Sequence, residues 1–452
     1  MPGKHKPTSD MVAPLRVGLC GLGNVGAAVF GELRRRGDEI AAKAGGPLIV
    51  THVAVRDLDR VRDVDFAGVV CVADAVALAQ RDDIDIIIEL IGGTSVASEV
   101  VFAALAAGKA VVTANKALVA GAADALAASA AASGAPFAYE AAIAGAVPVV
   151  RALAVSLAGD RIVRLAGIVN GTCNYILTRM EEAQLSFEDA LAEAQRAGYA
   201  EADPRSDVEG EDAAFKLALL ARLAFDAEIA PDAIAREGIS GVRAEDLRRA
   251  GEVGLVVRLL AIAERHGDAV DLRVHPTLVP RAHPLAAVRG PMNAVWIEAE
   301  AAGPLMLYGQ GAGGLPTASA VLGDLVAVAR ALRAGADTKA KATATATATT
   351  VGAGARKITR LVDADDRVAS FHIATMVADE PGVLAAVAGA FAHHGVSVES
   401  CVQHGRNADP VELVFVTHRC REGALHGALA DIAALPTVRE VASRLRVLDD
   451  GR

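Results

Sequence analysis

The chain has 452 residues and a formal net charge of −10, room for about three domains that each bury a core. Hydrophobic residues make up 53% but aromatics only 3%, so much of the apolar content is alanine; the longest apolar stretch, Ala117 to Val150, is broken by Asp124, Gly134, Pro136 and Glu140. That excludes a membrane span of ~20 unbroken apolar residues, and the lack of a Lys/Arg stripe interleaved with aromatics excludes nucleic acid as a partner. The opening MPGKHKPTSD lacks the apolar core and cleavage site of a secretory signal, so residues 1–14 read as a disordered arm. Five scattered cysteines without metal-ligand spacing read as free thiols, and the expected location is a reducing cytoplasm.

Leu15 to Cys20 is a short apolar run that leads into Gly21-Leu22-Gly23-Asn24-Val25-Gly26 and then a helical pattern. Between a strand and a helix, this glycine turn predicts a dinucleotide site: Gly21 for the tight turn, Gly23 for backbone approach to the pyrophosphate, Gly26 for close packing, with helix N–H groups from Asn24 and Val25 onward facing phosphate. Pro47 to Val55 is the next strand, and Arg56-Asp57-Leu58-Asp59-Arg60 follows it. An acidic residue there suits the 2′-hydroxyl of NAD and arginine suits the 2′-phosphate of NADP; Arg56 and Arg60 tilt the expectation to NADP and leave NAD open. Ile84 to Leu90 reads as a buried parallel strand ending in Gly92-Gly93-Thr94, and Ala110 to Thr113 as another, followed by Asn115-Lys116. Residues 15–150 are therefore expected to form a Rossmann-type α/β domain.

From Arg151 the pattern becomes mixed, which predicts an α+β substrate-binding and dimerisation domain over 151–304. Arg164 to Ile168 is a strand, Asn170-Gly171 a turn, and Thr172 a cap for the next helix. After a helix at Phe187 to Ala197 comes GYAEADPRSDVEGEDAAFKL, Gly198 to Leu217. Pro204 ends any incoming helix, Ser206-x-x-Glu209 reads as a capping box that restarts one, and Asp212 and Lys216 share a face four residues apart. An ordinary surface ion pair would look the same in isolation, but Val208, Ala213, Ala214, Phe215 and Leu217 crowd the charges and would desolvate them.

This segment, written GYAEADPxxDVxGxDAAxKL, resembles the signature of the homoserine dehydrogenases, which interconvert L-homoserine and L-aspartate 4-semialdehyde with NAD(P). The resemblance runs over about residues 15 to 330 and takes in the E-L-x-G-G stretch at Glu89, T-A-N-K at Lys116, N-G-T-x-N-Y-I-L at Asn170 and G-x-G-A-G-x-x-T-A-S-A-V at Gly309. It implies Lys216 as acid/base, Asp212 as substrate ligand and partner of that lysine, Glu201 as holder of the substrate amino group, and Lys116 beside nicotinamide as co-catalyst or alternative base. It further implies a cofactor contact at Thr94 and Gly313, with residues 305–333 completing the dinucleotide domain. Phe137 to Val150 resembles the segment with which the family holds a monovalent cation, Na+ or K+, which by position falls on Glu140, Ile143, Gly145 and Val147.

His275 and His283 have no third ligand at useful spacing and read as structural. Residues 334–367, with KAKATATATATT, read as a linker of ~20 low-complexity residues and their flank. Over 368–448 a βαββαβ order with Asp379-Glu380-Pro381-Gly382-Val383-Leu384 at the first turn resembles the ferredoxin-like ACT regulatory domain. The resemblance implies threonine as effector at Asp379 and Gly382, a homodimer or homotetramer, and control through docking of paired ACT domains onto the catalytic body. Two readings compete with this one: another amino-acid dehydrogenase, which would need different substrate anchors, and a non-catalytic sensor, against which Lys116, Asp212 and Lys216 argue.

Overall fold

The computed structural model describes residues 12–62, 64–335, 357–405 and 410–449. Most of the expected N-terminal arm and residues 336–356 of the expected linker lie outside them. The chain divides into two compact units: one comprises the residues up to Gly159 and those from Gln310 to Ala355, the other Asp160–Gly309 together with the residues from Arg356 onward.

The first unit is built on strands β1 (Leu15–Cys20), β2 (Leu48–Ala54), β3 (Val70–Val72), β4 (Ile86–Glu89), β5 (Ala110–Thr113) and β6 (Phe137–Ala138). They form one parallel sheet in the order β3-β2-β1-β4-β5-β6, in which chain order reverses between β1 and β4. That is the doubly wound order, and its crevice opens where the carboxyl ends of those two strands diverge. All four residues of β4 and of β5 are buried, the continuous apolar pattern of a sheet covered on both faces. Helix Gly314–Gly335 returns the chain to this unit and sets Ala318, Val321, Leu325 and Val328 against Val17, Leu19 and Phe30. It is the one helix among the described residues long and apolar enough to cross a membrane, and its apolar side is spent in this core. The return comes at Gln310 and not at 305, because Gly303–Gln310 is still a strand of the other sheet.

The second unit carries β7 (Ile162–Ile168), β8 (Ala235–Arg236), β9 (Leu255–His266), β10 (Ala269–Pro280), β11 (Met292–Ala299), β12 (Gly303–Gln310), β13 (Arg360–Leu361), β14 (Val368–Val377), β15 (Val398–His404), β16 (Val411–Thr417), β17 (Cys420–Arg421) and β18 (Val438–Val447). One sheet runs β12-β11-β7-β9-β10-β18-β14-β16-β15, with β8, β13 and β17 pairing off that path. Its last four strands and helices Val383–His393 and Glu422–Ala433 form the βαββαβ module, which closes over a core of its own at Phe371, Val387, Phe391, Phe415 and Leu425.

Two expectations change here. Residues 357–367 are not linker: β13 pairs with β10, and Ile358 exchanges hydrogen bonds with Asp226 and Glu228. The C-terminal module is also joined to the substrate domain directly, since β18 pairs in parallel with β10 at Thr277–Arg446 and Leu278–Val447. Buried ion pairs Arg249–Glu412 (2.6 Å) and Arg367–Asp271 (3.0 Å) cross the same seam. A tethered domain docking from a distance is replaced by a continuous sheet.

Candidate active site

In the first unit the glycine turn has the geometry that its composition demands. Gly21 has φ 99°, and a Cβ there would come 2.5 Å from the Leu90 carbonyl; a Cβ on Gly26 would collide with the Gly21 carbonyl. Around Gly23, by contrast, nothing lies within 4 Å of that position. The helix Asn24–Arg35 starts immediately after it with no side chain capping its first N–H groups.

Glu89, fully buried at the end of β4, organises the neighbouring turns. Its Oε1 accepts from the N–H of Ile91 (2.8 Å) and Gly92 (3.2 Å), and its Oε2 from the Thr113 hydroxyl (2.6 Å). Asn115 continues the network: its Oδ1 caps helix Lys116–Ser133 through Leu118 N–H, and its Nδ2 donates to the Gly93 carbonyl (2.6 Å). Lys116 is thereby fixed, half-buried, on the first turn of that helix. Thr94 is exposed beside Gly92 and Gly93, and Gly313 is exposed in the loop before helix Gly314–Gly335. Sequence reasoning missed Glu89 as an organiser; the only signal was an acid ending an apolar strand.

After β2, Arg56 and Arg60 are both exposed. Asp57 is engaged locally, its Oδ1 accepting from the N–H of Asp59 (3.0 Å) and Arg60 (3.1 Å), and Arg62 folds back onto the carbonyls of Asp57 and Arg60. Asp57 Oδ1 is taken up by its own turn, and Arg56, Asp57, Asp59 and Arg60 are all exposed.

Around the expected cation segment, Glu140, Ile143, Gly145 and Val147 are all buried. The Glu140 carboxylate accepts from the N–H of Val150 (2.8 Å) and Arg151 (3.0 Å), satisfying the start of the next helical turn. Asp324, from the returning helix, accepts from Glu140 N–H (2.7 Å) and pairs with Arg151. Two buried carboxyls thus share one guanidinium, and burial first, with Asp324 adding to it, pushes the Glu140 carboxyl up to about 7. Asp324 is likewise raised by burial.

In the second unit, Lys216 and Asp212 sit on helix Glu211–Phe225 with side chains 12% and 3% exposed. Lys216 Nζ donates to Asp212 Oδ2 (2.7 Å) and to the Val169 carbonyl (2.7 Å). Asn170 is the hub of the cluster: its Oδ1 caps helix Gly171–Ala183 through Cys173 N–H, while its Nδ2 donates to Asp207 Oδ1 (2.7 Å) and Asp212 Oδ2 (2.9 Å). Asp207 belongs to this cluster and was not among the expected site residues, although its position five before Asp212 was visible. Cys173 is buried beside them, its thiol donating to the Asp207 carbonyl; burial holds it protonated and removes it as a nucleophile. Glu201 is exposed on the preceding loop, its carbonyl held by Gln195.

Two capping assignments are corrected. Ser206 lies inside a short helix, Arg205–Val208, with no side-chain cap, and the longer helix starts at Glu211 after Gly210, whose φ of 78° favours glycine and where a Cβ would come 3.1 Å from the Val274 side chain. Thr172 does not cap: Asn170 does, and the Thr172 hydroxyl instead donates to the Tyr199 carbonyl (2.7 Å), tying the signature loop to helix Gly171–Ala183.

Family models described as Homoserine dehydrogenase, NAD binding domain (residues 21–140), Homoserine dehydrogenase (148–326) and ACT domain (373–437) match the chain. A homoserine dehydrogenase of Corynebacterium glutamicum is 44% identical, over 96% of both chains. The chain belongs to the homoserine dehydrogenase family. A homoserine dehydrogenase of Pseudomonas aeruginosa is 39% identical over 96% of this chain and 99% of its own length. Among solved structures, the homoserine dehydrogenase of Thiobacillus denitrificans superposes with a TM-score of 0.89 at 40% identity, covering 97% of this chain and 99% of that one. A hyperthermophilic archaeal homoserine dehydrogenase in complex with NADPH matches at TM-score 0.58 and 26% identity, covering 70% of this chain and 98% of that one. The family fixes the chemical class, a nicotinamide-dependent oxidoreductase acting on the homoserine hydroxyl.

Proposed function

We propose the following division of labour for the homoserine dehydrogenase reaction in this chain. Lys216 is the acid/base, and the observation that carries this is its Nζ, held between Asp212 Oδ2 and the Val169 carbonyl at 2.7 Å each, with a third direction left for substrate oxygen. Asp212 binds substrate, with Asn170 fixing its carboxylate and that of Asp207. Glu201, exposed at the mouth of the signature loop, holds the amino group, and Lys116 is a second lysine for the reacting oxygen. In oxidation the hydroxyl proton passes to Lys216; in reduction of the semialdehyde the same lysine returns a proton to the aldehyde oxygen. A bound dinucleotide supplies the hydride acceptor or donor.

The cofactor is read as NADP. Arg56 and Arg60 are exposed where a 2′-phosphate would lie, and Asp57, one of the loop's two acids, has its Oδ1 taken up by its own turn. The residues of the cation segment fit a monovalent ion, Na+ or K+, for an electrostatic reason: with both ionised, Glu140 and Asp324 exceed Arg151 by one negative charge in a buried place. Carbonyls at Glu140, Ile143, Gly145 and Val147 would hold it. Threonine is read as the effector, at the exposed turn of Asp379 and Gly382, where Gln403 Nε2 approaches Asp379 Oδ1 at 3.3 Å. A homodimer or homotetramer is the proposed assembly, since among the described residues β15 ends the sheet as an edge strand.

Initial rates of semialdehyde reduction with NADPH and NADH, followed by nicotinamide absorbance, test the reading. Arg56→Ala should raise KM for NADPH by about tenfold, the loss of a charge-assisted hydrogen bond, and leave NADH nearly unchanged. Equal losses for both cofactors reject the assignment. For control, Asp379→Ala in the full chain should keep the basal rate and lose inhibition by threonine; undiminished inhibition moves the effector site elsewhere. Removing the whole module is not a clean test, because it would strip β18 from β10.

A further inference from the structure

At one end of the ACT module's helical layer, two histidines and a carboxylate converge. His393 ends helix Val383–His393 and His394 follows as its C-cap, while Asp431 lies near the end of helix Glu422–Ala433. His393 Nδ1 stands 3.3 Å, and His394 Nε2 2.8 Å, from Asp431 Oδ2, and the three ligand atoms all lie within 4.8 Å of one another. A tetrahedral ion with bonds of about 2.0–2.1 Å spaces its ligand atoms by roughly 3.3 Å, so small adjustments suffice to seat one.

Consecutive residues inside a helix project about 100° apart and would not normally meet on one ion. Here they do because the helix ends between them: His394 is outside it, and its ring lies across the neighbouring helix at Gly427. A Cβ at position 427 would stand 2.5 Å from both Cε1 and Nδ1 of His394, so only glycine leaves room for the ring whose Nε2 meets Asp431.

A second cluster, Glu264, His266 and Asp271, passes the same distance test but is a poor home for a cation. Its carboxylates already face Arg164 (3.1 Å), Arg273 (3.2 Å from Asp271) and Arg367 (3.0 Å). Among the described residues no lysine or arginine pairs with Asp431; its two partners are the histidines. Side-chain exposures of 77% for His393, 27% for His394 and 49% for Asp431 leave the group open to solvent and to an incoming ion. Two imidazole nitrogens and one carboxylate oxygen form a borderline donor set that suits Zn2+, Co2+ or Ni2+ and disfavours the oxygen-seeking Mg2+ and Ca2+.

We propose that His393, His394 and Asp431 form a binding site for a divalent transition-metal ion, which cross-links the end of helix Val383–His393 to helix Glu422–Ala433 and keeps its remaining coordination for water. The site belongs to the regulatory module and contributes nothing to hydride transfer.

The test is a calorimetric titration of tag-free, full-length, metal-stripped protein with Zn2+, paired with Co2+ and its visible absorption. The expected result is one ion per chain at sub-millimolar concentration, with a Co2+ spectrum of low-coordinate N/O ligation and no displacement by excess Mg2+. His394→Ala and Asp431→Asn should each weaken binding by at least about tenfold, since even outer partners of metal ligands are worth that much. Gly427→Ala should weaken it as well, by displacing the His394 ring without removing a ligand. Circular dichroism and unchanged basal activity confirm that each variant is folded. The chain has eleven histidines, so the variants decide the location: absence of binding in the unaltered protein, displacement by Mg2+, or equal affinity in the His394 and Asp431 variants overturns the proposal.

Discussion

Each unit of this protein buries a charge cluster with one carboxylate more than its cations, and the two are built to opposite ends. In the second unit Asp207 and Asp212 face Lys216, with Asn170 donating to both acids. Asp207 is half-buried and the Lys216 side chain is 12% exposed, so the surplus charge remains reachable from outside. In the first unit Glu140 and Asp324 face Arg151; both carboxyls are at most 4% exposed although the Arg151 side chain is 41% exposed, and they are held by three backbone N–H groups and by Arg151, with no orienting amide. What differs is the exposure of the acids. A cluster with one half-buried acid suits a substrate that comes and goes; two buried acids suit the proposed monovalent ion, and burial pushes the Glu140 carboxyl towards its neutral form.

The largest effect that would break this contrast comes from Lys216→Ala, expected to lower kcat by roughly 10²–10⁴, the range for a positioned acid/base. A folded variant within threefold of the parent rate would leave the Lys216 cluster without its proposed chemistry. Next, Asn170→Ala deprives two carboxylates of their shared donor and should cost on the order of 10² in kcat/KM through misplacement of Asp212. If Asp212 and Lys216 keep the rate without Asn170, the hub has no role beyond capping its helix.

The cluster of two buried acids is probed by pH. The Glu140 carboxyl is raised from about 4.5 to about 7 in the folded chain, so between those values the native state binds a proton that the unfolded chain has lost. Stability should therefore fall as pH rises across that window, by up to about 1.4 kcal/mol per unit, and level off above it. Thermal melts from pH 5 to 8 in tetramethylammonium buffer should show the fall, and K+ or Na+ at matched ionic strength should flatten it by favouring the ionised carboxylate. Glu140→Gln should abolish the slope that the ion controls. A melt curve indifferent to the alkali cation would show that Arg151 alone compensates both acids. The smallest effect is expected from Arg151→Lys, which keeps the charge but loses the fork that reaches Asp324 and Glu140; a Tm loss of a few degrees, about 1 kcal/mol, is expected.

Some of this was legible in the chain because the constraint is local. The Gly21–Gly26 turn needs residues without Cβ at fixed offsets, and the helix repeat alone brings Asp212 and Lys216 together, so both survive translation into coordinates. Continuous apolar runs marked the strands of the parallel sheet for the same reason. Only the tertiary structure decided that Asn170, and not Thr172, caps its helix while holding two acids, that Glu89 fastens the turns after β4 and β5, and that Glu140 meets Asp324 across 184 positions. Only closure of the fold could decide, too, that β18 completes the substrate sheet beside β10 and that Gly427 makes room for His394. Partners of this kind are chosen by which segments arrive side by side after the chain has collapsed, and a polar side chain taken by itself carries no mark of the one it will meet.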